Sequence, residues 1–170
     1  VLDSDNTVEP HFLTYIDRCF SQGNDIVCGN RKSSNCNKNL ISSCYTLYWS
    51  MVTNLYGRGH NGCQINSIIN GTGFAFKMST LKNHAWNTKT LSEDVEFYVQ
   101  TSLKKKKIRI QPDAVFYDHQ PENLRTMFTQ LYRWMTGTTQ VFRNYWKPCV
   151  HHFLATPDRN SLDLLLTIII

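Results

Sequence analysis

The stretch TLSEDVEFYVQTSLKKKKIRIQPDAVFYDHQP, residues Thr90 to Pro121, decides the fold class. It opens as a helix start: Thr90-x-x-Glu93 has the spacing of a capping box, with Thr90 or Ser92 as the cap. Val95, Val99 and Leu103 then supply a core stripe. Lys104 to Lys107 read as a solvated turn. Ile108-Arg109-Ile110 and Ala114-Val115-Phe116-Tyr117 read as two strands, and Pro121 opens a helix that runs to about Tyr145. Helix, strand and helix in succession predict an α/β sandwich.

The rest of the chain extends that alternation. Val1-Leu2 reads as the tail of a buried strand. Pro10 starts an amphipathic helix with Phe12, Leu13, Ile16, Cys19 and Phe20 on one side. Asp25 to Gly29 is a second strand, and Arg31 to Lys38 a polar loop. Leu40 to Tyr56 carries Ile41, Cys44, Leu47, Tyr48, Met51, Val52 and Leu55 at helical spacing. Gly57 to Gly62 reads as a flexible loop, Ile68 to Phe76 as a strand or strand pair broken by glycine, and Ser79 to His84 as a short helix. On the last helix Leu124, Met127, Phe128, Leu131, Met135, Val141 and Phe142 form the expected apolar face. The closing run LDLLLTIII is too short to span a bilayer.

Composition narrows the function. With 170 residues, 41% hydrophobic and 12% aromatic, the chain can bury a core and is not disordered. The net charge of +5 comes almost entirely from Lys104 to Lys107. No basic stripe is interleaved with aromatics, so nucleic acid is not an expected partner. Six cysteines (Cys19, Cys28, Cys36, Cys44, Cys63, Cys149) form no C-x-x-C pair, which argues against zinc and for reduced, mostly buried thiols.

Three clusters carry chemistry. Asp3 and Asp5, two apart on a strand, would share a face and offer hard oxygen donors to Mg2+ or Mn2+ beside a phosphate. In Ser92-Glu93-Asp94, Glu93 suits a helix N-terminus, which leaves Asp94 free to point into a cleft and take a proton from a hydroxyl. Gln130, Arg133 and Trp134 share a helix face: the guanidinium forks onto phosphate oxygens and the indole covers a sugar. Gly137, one turn on, permits close approach. Taken singly, each has a bland reading as a polar turn, as helix-start acids, or as a surface arginine beside a core tryptophan.

Taken in order, they resemble the family 2 glycosyltransferases, most closely the membrane-bound synthases of cellulose, chitin, hyaluronan and poly-N-acetylglucosamine. The segments VLDSDNTVEPHFL, INGTGFAFK, TLSEDVEF and PDAVFYDHQP, with Q-x-x-R-W, carry the resemblance over Val1 to Tyr145. It implies a GT-A fold, a mixed sheet flanked by helices that binds a nucleotide-diphosphate sugar. It implies inverting transfer from a donor such as UDP-N-acetylglucosamine or UDP-glucose to a glycan or lipid-linked acceptor at the cytoplasmic membrane face. By resemblance, Asp3 and Asp5 hold the metal, Asp94 is the base, and Gln130 and Arg133 meet the donor pyrophosphate. Trp134, Gly71, Thr72, Gly73 and Glu93 line the acceptor side, and Asp118 or His119 approaches the metal. Residues 1–147 would be the catalytic half of a domain whose nucleotide-binding unit lies upstream. Residues 148–170 would be a connector into an apolar transmembrane or interfacial helix, with flanking helices bringing the membrane. Leu131 departs from the family, where many members carry a second arginine. The alternative is a non-catalytic nucleotide- or carbohydrate-binding subunit of a glycan-assembly complex, which would have no chemical reason to keep all of these side chains.

Overall fold

Two strands form the centre of a four-stranded sheet in the computed structural model, which describes residues 1–81 and 86–169. They are β2 (Ile26–Ser33) and β4 (Ile108–Asp118), paired in parallel. The edges are β1 (Thr7–Val8), antiparallel to β4, and β3 (Phe74–Phe76), antiparallel to β2, giving the order β1-β4-β2-β3. A parallel pair is covered on both faces, so Ile26, Val27 and Ile108 are fully buried.

The pleat sends alternate residues to two cores. Val27, Ala114 and Phe116 pack against Phe12, Ile16 and Cys19 of α1 (Phe12–Ser21). Ile26, Cys28, Ile108 and Ile110 pack on the other side, with residues of α4 (Glu93–Leu103), α5 (Leu124–Ala155) and α6 (Arg159–Ile169). Thus β4 serves one core with its first half and the other with its second. The switch is a bulge: the partner of Cys28 is Ile110, but the partner of Asn30 is Val115. Pro112 sits inside it, where no ladder N–H is needed, and its carbonyl accepts from Asn30 Nδ2 at 2.8 Å. The two strands expected from the sequence are therefore one strand with a bulge.

Other expectations are corrected in the same physical terms. Val1 and Leu2 are exposed and form no strand, although the Val1 carbonyl accepts from Gly73 and Phe74. Strand β2 runs through Arg31 to Ser33, where a loop was expected, because β4 continues alongside it to Asp118. In α2 (Leu40–Val52) the buried residues are Ser42, Tyr45 and Trp49, while Leu47, Tyr48 and Met51 of the helical apolar pattern are exposed, as is Leu55 just beyond it. The expected loop at Gly57 to Gly62 is helical, a π-helical stretch Thr53–Gly59 followed by α3 (His60–Cys63). Gly57 serves contact rather than freedom: a Cβ there would lie 2.7 Å from Ile110 Cδ1. Residues Ile68 to Asn70 form no strand, and the expected helix Ser79 to His84 is a 3-10 turn, Met78–Thr80, its remainder lying partly outside the described residues. Helix α5 continues past Tyr145 to Ala155 with Pro148 inside it, and buries Gly137, Val141 and Cys149. Leu124, Phe128, Met135 and Phe142 of its expected apolar face are exposed. The cysteines are free; Cys19, Cys28 and Cys149 are buried, Cys44 and Cys63 exposed. Among the described residues no helix is long and apolar enough to cross a membrane.

Gly73 offers a sharp test of this packing. Its φ is +69°, and a Cβ would fall 2.1 Å from the Phe116 ring. Gly73→Ala should cost roughly 3 kcal/mol, adding backbone strain to overpacking. Gly23→Ala, at φ +87° with open space around it, should cost only about 1 kcal/mol. Urea midpoints of the two variants measure the difference.

Candidate active site

The site is organised where α5 crosses the start of α4. A Cβ on Gly137 would lie 2.2 Å from Ser92 Oγ and 2.5 Å from Ser92 N, so only glycine allows the crossing. Ser92 Oγ donates to the Trp134 carbonyl at 3.4 Å, and the Leu91 N–H donates to Gln140 Oε1 at 3.0 Å. The first turn of α4, which holds Asp94, is thereby set against the Gln130 to Trp134 face.

The entry into α4 is fixed by a residue the motif reading missed. The expected capping box is absent: Ser92 makes no side-chain cap and Glu93 is exposed. Instead the buried carboxylate of Glu96 accepts from Lys89 N (2.7 Å), Thr90 N (2.8 Å) and the Tyr145 hydroxyl (2.9 Å). Burial alone would raise its pKa; the two amide N–H groups and the Tyr145 hydroxyl outweigh that and hold it below the usual glutamate value. An acid between Val95 and the run Phe97 to Val99 was the available signal.

A cleft of about 560 Å³ gathers most of the residues singled out in the sequence. Asp3, Asp5, Gly71, Thr72, Asp94, Asp118, His119, Gln130, Arg133 and Trp134 line it; Gly73 and Glu93 do not. Gly73 instead packs on Phe116. Asp3 and Asp5 lie on a turn closed by Asn6 N to the Asp3 carbonyl (3.1 Å), not on the expected strand. That turn is tethered to the glycine loop by Asp3 N donating to Thr72 Oγ1 at 3.0 Å, and Thr72 Oγ1 in turn donates to Asn6 Oδ1. Gly71, at φ +73°, brings the loop so close that a Cβ would stand 3.5 Å from Asp94 Oδ2.

The electrostatics divide the acids into three kinds. Asp94 is held above the usual aspartate value, first by burial, with Glu93 adding to the rise and the Val95 N–H and Arg133 opposing it. Asp3 is raised by burial and then by the charges of Asp118 and Asp5. Asp118 is already committed: it pairs with Arg31, whose Nε lies at 2.9 Å, and accepts from Asn6 Nδ2 and Gln120 Nε2, each at 3.0 Å. His119 is exposed and meets Glu122 at 3.0 Å. Among the described residues there is no group of three or more His, Cys, Asp or Glu side chains placed to hold a metal. The donor set nevertheless fits a hard divalent cation that takes two oxygens from Asp3 and Asp5 and the rest from phosphate and water, since a cation would relieve the crowding of negative charge at Asp3.

Sequence reasoning also missed Arg31 and Trp49. Both line the cleft, with Arg31 Cζ 3.8 Å from the centre of the Trp49 ring. Arg31 lay in the expected loop and Trp49 off the expected apolar stripe. Only pairing of β2 with β4 and packing of α2 on β2 bring them together.

The sequence pattern described as glycosyl transferase family group 2 matches residues 1–170. A poly-beta-1,6-N-acetyl-D-glucosamine synthase of Staphylococcus epidermidis is 24% identical over 149 residues, 85% of this chain and 36% of that protein. A probable glycosyltransferase of Bacillus subtilis, YdaM, is 32% identical over 74 residues, 43% of this chain and 18% of that protein. The chain therefore spans well under half the length of either relative.

The Glu96 cluster makes a stability prediction. A carboxylate with a depressed pKa contributes fully above the ordinary glutamate value, and its contribution is lost as pH falls through the depressed one. Glu96→Gln should lower stability at neutral pH by about 2 kcal/mol. The difference from the parent should shrink on acidification; urea titrations across that range measure it.

Proposed function

The chain belongs to glycosyl transferase family group 2, and from that premise we propose how its cleft carries out sugar transfer. The donor is a nucleotide-diphosphate sugar, UDP-N-acetylglucosamine or UDP-glucose. The name of the Staphylococcus epidermidis synthase favours the first. The acceptor is a hydroxyl of a glycan or lipid-linked sugar. The reaction runs at the cytoplasmic face of the membrane, as in the membrane-bound synthases the sequence resembles.

Asp94 is the general base. Its raised pKa makes it a better proton acceptor than an ordinary aspartate. It takes the proton of the acceptor hydroxyl as that oxygen attacks the anomeric carbon from the face opposite the leaving diphosphate, which inverts the centre. The bare backbone of Gly71 leaves the acceptor room beside the Asp94 carboxylate. Trp134 covers the apolar face of the acceptor sugar. Arg133 forks onto pyrophosphate oxygens and Gln130 donates to them. Asp3 and Asp5 would hold Mg2+ or Mn2+, which neutralises charge building on the diphosphate. Asp118 acts through Arg31 and the Asn6 turn, since its oxygens are already occupied.

One observation carries this reading: a half-buried carboxylate with raised pKa shares a cleft with an acidic turn and with a glutamine, arginine and tryptophan on one helix face. In the full-length protein, Asp94→Asn should lower transfer on the order of a thousandfold while donor affinity is retained. The parent rate should fall as pH drops through a value above the ordinary aspartate range, because protonation removes the base. Undiminished transfer by the Asn variant removes Asp94 from the mechanism. Chelation should abolish turnover, with Mn2+ or Mg2+ restoring it. A non-catalytic binding subunit would instead bind nucleotide without metal dependence or product.

A further inference from the structure

An indole can cover a sugar only if its plane is fixed. Trp134 stands half-buried on α5, and among the described residues no polar group anchors its ring. What it meets is aromatic: Trp49 edge-on, with centroids 5.8 Å apart at 77°, and Tyr45 tilted at 6.4 Å. Neither is held by a hydrogen bond of its own, for the Trp49 indole N–H and the Tyr45 hydroxyl are buried without a partner among the described residues. The orientation of Trp49 must therefore come from packing on its faces. One face is occupied by the guanidinium of Arg31, at 3.8 Å. Arg31 is fixed in turn by Asp118, and Asp118 by Asn6, from the turn that carries Asp3 and Asp5.

We propose that Arg31 is a positioning residue: its stack on Trp49 sets the plane of Trp134 for the acceptor sugar and ties that plane to the Asp3–Asp5 turn. The inference rests on the sugar-transfer reading above. Arginine suits the role because its planar group stacks and forks at once, whereas an ammonium does neither. Its Nε and Nη2 are engaged by Asp118.

The test uses the full-length enzyme and two readouts, the KM values for acceptor and donor and the near-ultraviolet circular dichroism of the coupled indoles. That couplet is defined by the signal lost in Trp134→Phe. Arg31→Met and Trp49→Leu should each raise acceptor KM about 5- to 10-fold, the scale of one cation–π contact plus one aromatic pair, and should leave donor KM within about twofold. Trp49→Phe, which keeps a ring face, should restore acceptor KM to within about twofold. The double variant Arg31→Met with Trp49→Leu should be no worse than either alone, because one path is broken once. The indole couplet should weaken in Arg31→Met. If loss of the Asp118 partner keeps that variant from folding, the Leu and Phe variants at Trp49 decide. A rise in donor KM with acceptor KM unchanged, an additive double variant, or an intact couplet in Arg31→Met overturns the proposal. Trp134→Ala separates the two levels: unchanged acceptor KM there ends the sugar-plate reading, while the couplet still decides whether Arg31 orients Trp134.

Discussion

The constraint on which the cleft depends is the close approach of Gly137 to Ser92. It sets how near α5 can come to the start of α4, and the cleft is the space that remains beside that crossing. Local forces do not favour it. Glycine inside a long helix weakens the helix, and Ser92 does not cap its own. The compensation is tertiary: Glu96 gathers the entry segment and Tyr145 from α5 into one buried cluster. The two helices are joined on both sides of Gly137, by Ser92 with the Trp134 carbonyl and by Glu96 with Tyr145.

A second principle is the division of labour among negative charges. Several aspartates and glutamates lie in or under this end of the molecule, and their surroundings differ. Asp118 is neutralised by Arg31, and Glu96 is satisfied by backbone N–H groups. Asp3 and Asp94 are left with raised pKa values and open space. Acids that are already paired hold structure, while those left in partial burial keep the capacity to bind a cation or accept a proton.

Much of this was readable in residue order where the signal was local. Helices α1 and α4 and the cores of β2 and β4 follow from short periodic runs. The acidic turn, Asp94 and the Gln130–Arg133–Trp134 face stand out by residue type alone, and the family match agrees with the resemblance they carried. The illegible parts all depend on partners distant in the chain. Pro112 looked like the end of a strand because a bulge cannot be seen without the opposing strand. The glycines near residue 57 looked flexible, yet Gly57 is small to fit Ile110. The apolar pattern of α2 marks a helix but not its buried face, which is Ser42, Tyr45 and Trp49. Asp3-x-Asp5 lies on a tethered turn in place of the expected strand.

The bulge in β4 has a consequence for which parts of the chain can change length. Surface connections usually absorb insertions and deletions easily. Here the residues Gln111 to Asp113 decide which side of the sheet every later residue of β4 faces. Dropping one would turn Phe116 out of its contact with α1 and swing Asp118 away from Arg31. The segment whose length is least negotiable is thus an irregular stretch in mid-strand.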